Sequence, residues 1–306
     1  MDNKPYRSLN EYYREVFGRK TAKISLDGGF TCPNRDGTCG TRGCLFCSAG
    51  GSGDFAENAS LSITEQVAQG KAQTSDKWKD PAYVAYFQAF TNTYAPAEEL
   101  RQKYEEALSC EGVEGLSIAT RADCLPEDVL DLLAELNQKT KLWVELGLQT
   151  ADEISAEFIR RGYPFRVFEK AVLDLAERDI PVIVHVILGL PGETRETILH
   201  TIDCVNHLPV QGIKLQLLHV LADSDLAEIY ENGDYIPLTK EEYISLVGDC
   251  IAHLREDIVI HRLTGDGDKN TLLAPLWSLK KRDVLNSLHK YLKENHIRQG
   301  MSCKIR

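Results

Sequence analysis

The run Val182-Ile183-Val184-His185-Val186-Ile187-Leu188 contains six aliphatic residues, five of them β-branched. Apolar side chains on both parities suit a strand buried on both faces, as in a parallel sheet covered by helices. Gly189-Leu190-Pro191-Gly192-Glu193-Thr194 follows as a turn, and Glu193–His207 reads as a helix. The same strand–turn–helix pattern extends in both directions. Strand-like runs occur at Thr21–Leu26, Ala82–Phe87, Gly115–Ala119, Lys141–Leu148, Val182–Gly189 and Gly212–Leu217. Helix-like segments at Ile63–Thr74, Pro96–Leu108, Pro126–Leu136, Asp152–Ile159 and Arg166–Arg178 lie between them. Strands alternating with helices give an α/β fold with right-handed parallel crossovers. Periodicity leaves a doubly wound sheet and an incomplete barrel open. In both, function belongs at the C-terminal ends of the strands.

Beyond Leu217 the pattern changes to a helix at Lys240–Leu254, a strand at Ile258–Leu263 and a helix at Leu279–Glu294. The expected organisation is an N-terminal extension over 1–20, a core over 21–217, and a C-terminal extension over 218–306. With 43% hydrophobic and 26% charged residues, the chain of 306 reads as globular. No apolar run approaches the roughly 20 residues of a membrane helix, and Met1–Arg19 has no signal-peptide core. A cytoplasmic protein without a membrane partner is expected. The net charge of −11 argues against general nucleic-acid affinity, yet Leu279–Arg306 holds eight basic residues against Asp283 and Glu294, a net of +6. Such a tail suits either a local polyanion site or a solvated helix face.

Nine cysteines, an odd number, make a poor disulfide framework. Cys32, Cys39, Cys44 and Cys47 cluster after the first strand, in a loop whose Gly37, Gly40 and Gly43 give the backbone freedom to wrap a compact centre. Three thiolates suit a 4Fe–4S cluster with one open iron, whereas four, counting Cys39, suit a closed zinc site and a zinc-stabilised binding module.

Cys32-Pro33-Asn34-Arg35-Asp36-Gly37-Thr38 and Gly43-Cys44-Leu45-Phe46-Cys47 resemble the radical S-adenosylmethionine (SAM) superfamily, in particular the YhcC/YtqA family related to the catalytic subunit of Elongator. Eleven residues separate Cys32 from Cys44 and two separate Cys44 from Cys47. The resemblance continues through Tyr86–Tyr94, Ser117–Asp123, Glu145–Thr150, Arg160-Arg161-Gly162-Tyr163 and Gly189–Thr194, one segment after another in strand order. Arg160 and Tyr163 depart from the superfamily's Asn and His, and Cys39 is not at a ligand position.

The resemblance implies an incomplete (β/α)6 parallel barrel with terminal additions. It implies a 4Fe–4S cluster on Cys32, Cys44 and Cys47, and S-adenosyl-L-methionine contacted by Phe46, Gln88, Thr91, Ser117, Thr120, Arg121, Glu145, Gln149, Arg161, Gly189 and Leu190. Arg121 would neutralise the cofactor carboxylate, Glu145, Gln149 and Arg161 would contact ribose or amino acid, and the Ile187–Leu190 backbone would pack on adenine. A one-electron donor such as flavodoxin or ferredoxin would reduce the cluster. Kinship with Elongator points to transfer RNA, with a wobble-uridine 5-carboxymethylaminomethyl group converted to 5-aminomethyl. A protein or small-molecule substrate is the alternative.

Overall fold

The computed structural model describes residues 4–51, 56–75 and 78–305. Met1–Asn3 and Arg306 of the basic tail lie outside the described residues. Strands β1 (Thr21–Leu26), β2 (Ala82–Phe87), β3 (Val113–Thr120), β4 (Lys141–Gln149), β5 (Val182–Leu188) and β6 (Gly212–Leu217) form one parallel sheet in chain order. Crossovers of one hand that never reverse direction put the helices on one face. The opposite face can be buried only if the sheet curls on itself, and the chain accordingly forms a curled half-barrel. This order resolves the choice left open by periodicity, because a doubly wound sheet reverses at a switch point.

Helices α2 (Ile63–Ser75), α3 (Ala97–Ser109), α4 (Glu127–Lys139), α6 (Phe165–Ala176) and α7 (Arg195–Asn206) cover the outside, and α5 (Glu153–Phe158) is a short helix after β4. Ile24, Phe87, Ile118, Val144, Val184 and Leu215 face these helices in one continuous core. Pro96, Pro126 and Pro164 stand at N-caps, one position before the first helical turn.

The C-terminal segment adds β7 (Val220–Leu221), α8 (Leu226–Glu231), α9 (Lys240–His253), β8 (Val259–Arg262), β9 (Leu272–Ala274) and, after a 3-10 turn, α10 (Lys281–Glu294). Strand β8 pairs in parallel with β6 as a seventh strand, so the sheet continues past Leu217. Helix α1 (Leu9–Phe17), for which the sequence reading gave no expectation, starts at a Ser8–Glu11 capping box and ends at left-handed Gly18. Ser8 bridges Ile260, so the N-terminal segment covers the β8 edge. The α1 side chain Tyr13 enters the N-terminal end of the barrel, where it packs on Val84, Trp143 and Ile183. Among the described residues no helix is long and apolar enough to cross a membrane.

Candidate functional site

The loop after β1 is folded around its own carbonyls. Pro33 O accepts from the amides of Cys39 and Gly40 at 2.8 and 3.1 Å, and Asn34 O accepts from Gly43 N at 2.7 Å. Gly43 has φ +77°, a left-handed conformation that lets the chain reverse before Cys44. These turns bring Cys32, Cys44 and Cys47 to the wall of one cavity of about 240 Å³ at the C-terminal end of the barrel. Cys39 points elsewhere, is exposed and lines other clefts. Burial and the neighbouring Cys47 push the Cys44 thiol up to about 12, so a strong cationic centre is needed to hold it as thiolate. Asn34, buried itself, donates its amide to the Arg160 carbonyl at 2.7 Å and to Cys44 Sγ at 3.4 Å. Three thiols on one cavity wall, one with an N–H donor behind it, suit an iron–sulfur cluster in donor type, while among the described residues no three such side chains are already drawn together at metal-ligand geometry.

Phe46, Gln88, Thr91, Thr120, Arg121, Glu145, Gln149 and Arg161 line the same cavity. Ser117 lies just behind Glu145, and Gly189 and Leu190 are outside the lining, where Ile187 represents the end of β5. Gly189 O accepts from Tyr235 of the C-terminal segment at 2.8 Å, and Leu190 is buried against the Leu45 and Leu226 side chains.

The β4 end is built with local strain. Gln149 holds φ +60° at a register shift, a conformation costing about 1–3 kcal/mol for a residue with a side chain. Its side chain folds over Gly147, where a Cβ would lie 2.5 Å from the side-chain amide, and the N–H groups of that amide donate to Gly147 O and Leu148 O, both at 3.0 Å. Arg161 secures this end: it donates to Leu148 O at 3.1 Å, Thr150 O at 2.6 Å and Tyr163 O at 2.8 Å, and pairs with Glu153 at 3.2 Å. Arg121 is held by Asp123 at 2.9 and 2.7 Å and donates to Arg161 O at 2.9 Å. Both guanidinium groups lie about 5 Å from the Tyr163 ring centre.

Below this rim is a ring with one side chain from each strand of the main sheet. Tyr86, Ser117 and Glu145 open three of the segments that carry the resemblance, but nothing in the motifs announced that they meet Lys23, His185 and Lys214. Lys23, Tyr86, Ser117, Glu145, His185, Lys214 and Arg262 come from β1, β2, β3, β4, β5, β6 and β8. Glu145 Oε1 accepts from Lys23 at 2.5 Å and Ser117 at 2.6 Å, while Oε2 faces His185 at 2.6 Å and Lys214. Burial opposes the charge on Glu145, but the two lysines and His185 outweigh it and hold the carboxyl well below its ordinary range. Burial lowers Lys214 to about 7 and His185 to about 4. The signal available in the sequence was alternation: Lys214 and Gln216 share one parity of β6, as do Lys23 and Ser25 of β1.

The Radical SAM superfamily model matches residues 37–205, and the Radical SAM C-terminal domain model matches residues 210–294. The chain belongs to the radical SAM superfamily. It is 47% identical to YtqA of Bacillus subtilis (strain 168), over 97% of this chain and 92% of that protein. It is 39% identical to YhcC of Escherichia coli (strain K12), over 92% and 90%. A tRNA uridine(34) acetyltransferase of Methanocaldococcus jannaschii is 27% identical over 71% of this chain but only 38% of that protein. The fold is similar to that of the archaeal Methanocaldococcus infernus Elp3, with a TM-score of 0.70 and 16% identity over 92% of this chain and 64% of that one. As a radical SAM enzyme the chain uses a 4Fe–4S cluster and S-adenosyl-L-methionine.

Proposed function

We propose that the chain modifies the wobble uridine of transfer RNA, converting a 5-carboxymethylaminomethyl side chain to 5-aminomethyl. The observation that carries this reading is the position of the basic helix. Lys281, at the start of α10, holds Asp266 at 2.6 Å, and Asp266 and Arg262 line the cavity. A polyanion on α10 would therefore lie beside the mouth of the site. Likeness to a tRNA uridine(34) acetyltransferase supports the same substrate class.

Cys32, Cys44 and Cys47 would hold the cluster, with Asn34 donating to the Cys44 sulfur. Cluster and cofactor, with a first electron from a donor such as flavodoxin or ferredoxin, would supply a 5′-deoxyadenosyl radical. Loss of a hydrogen atom to it and of one electron back to the cluster, from the carbon between amine and carboxylate, would give an iminium. Water hydrolyses that iminium to the 5-aminomethyl group and glyoxylate, with S-adenosylmethionine as the net two-electron oxidant. Phe46, Gln88, Thr91, Thr120, Arg121 and Gln149 would contact S-adenosylmethionine. Arg161, engaged with four protein groups, acts by positioning the Gln149–Thr150 backbone. Glu145 is occupied on both oxygens, and its part is to organise the chamber below. Ser117 shares that part through Glu145, and Gly189 and Leu190 position the end of β5 beside Ile187.

Part of the basic tail is neutralised internally. Lys290 faces Glu294 at 3.8 Å and Lys304 faces Asp203 at 3.5 Å. Among the described residues Lys280, Arg282, Lys293 and Arg298 are exposed and make no ion pair. Changing Lys280, Arg282 and Lys293 to Glu should weaken transfer-RNA binding and flatten its salt dependence, by a slope of about 0.7–0.9 for each phosphate that is no longer neutralised. Release of 5′-deoxyadenosine without RNA should be unchanged. The decisive measurement is anaerobic turnover on transfer RNA bearing 5-carboxymethylaminomethyluridine, followed by nucleoside mass spectrometry. Absence of 5-aminomethyluridine, with 5′-deoxyadenosine still released, would assign the enzyme to a protein or small-molecule substrate.

A further inference from the structure

The floor of the barrel carries more cations than its own acids balance. Lys23 and Lys214 contribute two against the single carboxylate of Glu145, and burial lowers Lys214 to about 7, so a second anion beside it would favour its charged form. Asp266 approaches Arg262 at 3.7 Å, but it is held more closely by Lys281 from outside the barrel. The Glu145 carboxylate is saturated, since each oxygen already has two donors. Each ammonium has three N–H groups. Lys23 uses two, on Ser117 at 3.1 Å and on Glu145. Lys214 uses two, on the Tyr86 hydroxyl at 3.1 Å and on Glu145. Among the described residues each therefore keeps one donor in hand.

Both ammonium groups also sit against the same ring, 4.5 and 4.6 Å from the centre of Tyr86. Two cations sharing one carboxylate and one aromatic ring are held close together, which costs free energy unless a second anion joins them. A purely structural tie needs one lysine for one glutamate. Of the two lysines it is Lys214 that faces the chamber: Tyr86, Glu145, His185 and Lys214 all line the cavity that the three thiols share, and Lys23 stands behind Glu145. Below them the barrel is closed by Tyr13, Trp143 and Ile183. Whatever reaches this floor is the tip of the substrate.

We propose that the barrel floor is a carboxylate-binding subsite for the substrate, with Lys214 as the donor and Glu145, itself held by Lys23, as the strut that positions it. The inference deepens the wobble-uridine reading and rests on it for the identity of the natural ligand. A 5-carboxymethylaminomethyl group ends in a carboxylate and a 5-aminomethyl group does not. The same contact therefore distinguishes substrate from product and places the carbon between amine and carboxylate at a fixed depth in the chamber.

Two probes separate the subsite from the uridine reading. The first is sodium acetate against sodium chloride at equal ionic strength, read as the thermal midpoint of the reconstituted enzyme. The second is the nucleoside 5-carboxymethylaminomethyluridine against its methyl ester, read by calorimetry on the same protein. Acetate should raise the wild-type midpoint relative to chloride and lose that effect in Lys214→Met. The acid should bind at least about tenfold more tightly than the ester, as expected where a buried donor would otherwise lack its acceptor. Should Lys214→Met fail to fold, Lys214→Gln carries the test, because its amide has two N–H groups for the Glu145 carboxylate and the Tyr86 hydroxyl and neither a charge nor a donor to spare. An acetate effect without discrimination between the nucleosides keeps the subsite and overturns the uridine reading. Acetate and chloride acting alike on wild type, or acetate raising wild type and the Lys214 variants equally, overturns the subsite.

Discussion

The rim and the floor of the barrel do opposite things with buried charge. At the rim, Cys32, Cys44 and Cys47 sit on a loop whose turns depend on glycine, and Gln149 and Phe90 hold left-handed backbones with φ of +60° and +57°. At the floor the side chains come from strands, with one register shift beside Lys214, and the unusual feature is six polar side chains from Lys23 to Lys214 bonded to one another through Glu145 and Tyr86. The rim stores strain in the chain, and the floor places charge where water is scarce. Damage at the rim should therefore affect cofactor chemistry before stability, and damage at the floor stability before chemistry. The largest expected effect follows. Glu145→Ala leaves Lys23 and Lys214 without their shared carboxylate and should cost about 3–5 kcal/mol in urea denaturation. Cys32→Ala should remove most of the iron from the reconstituted protein, yet leave the apo-protein within about 1 kcal/mol of wild type. A fold insensitive to Glu145→Ala would erase the distinction.

This contrast also explains what the sequence made legible. The rim is written in consecutive residues, such as Cys32–Thr38, Gly43–Cys47 and Gly189–Glu193, and short-range spacing is what sequence reading resolves best. The three thiols and eight of the eleven expected contact residues accordingly meet at one cavity. The floor is written in register. Lys23, Glu145 and Lys214 are far apart along the chain; Lys23 and Lys214 each look like an isolated polar residue in an apolar strand, and Glu145, which opens a motif, gives no sign of the lysines it meets. Only strand order and tilt bring them together, as in the pairing of His185 with Lys214 and of Lys214 with Arg262. Strand β8 was legible as a strand, but its place beside β6 was not, because pairing partners are set by tertiary packing. Helix α1 escaped notice because its apolar stripe is confined to Leu9, Tyr12, Tyr13, Val16 and Phe17 within a charged segment.

A smaller effect sharpens the rim side of the comparison. Gly51 has φ +60°, and a Cβ there would lie 2.3 Å from the Phe90 ring, which in turn stacks on Arg35 of the Cys32–Cys47 loop. Gly51→Ala should cost about 1–3 kcal/mol. It should also displace Phe90, so S-adenosylmethionine affinity should fall by more than the stability loss alone accounts for. Iron content should remain near wild type, because Gly51 lies outside the Cys32–Cys47 loop. Loss of iron in parallel with cofactor affinity would instead mean that the loop and the β2 turn behave as one unit.

The smallest effect compares two buried carboxyls. Glu145 at the floor is surrounded by cations and stays ionised, so its stabilisation is present at neutral pH and disappears as pH falls below the ordinary carboxylate range. Glu193 at the rim has the opposite setting. Its partner is the Thr150 hydroxyl, its other oxygen is buried without a hydrogen bond, and burial pushes it up to about 7. Between the unfolded value near 4.5 and about 7, the folded chain retains a proton that the unfolded chain has released. Stability contributed by Glu193 therefore declines as pH rises through that window and stays low above it. Glu193→Gln keeps the shape and removes the charge, so it should match wild type near pH 4.5 and exceed it at pH 8 by on the order of 1–2 kcal/mol. Urea midpoints of the two proteins at both pH values measure the difference. Equal midpoints at pH 8 would mean that water reaches Glu193, and that the rim tolerates a charge without the cations that the floor requires.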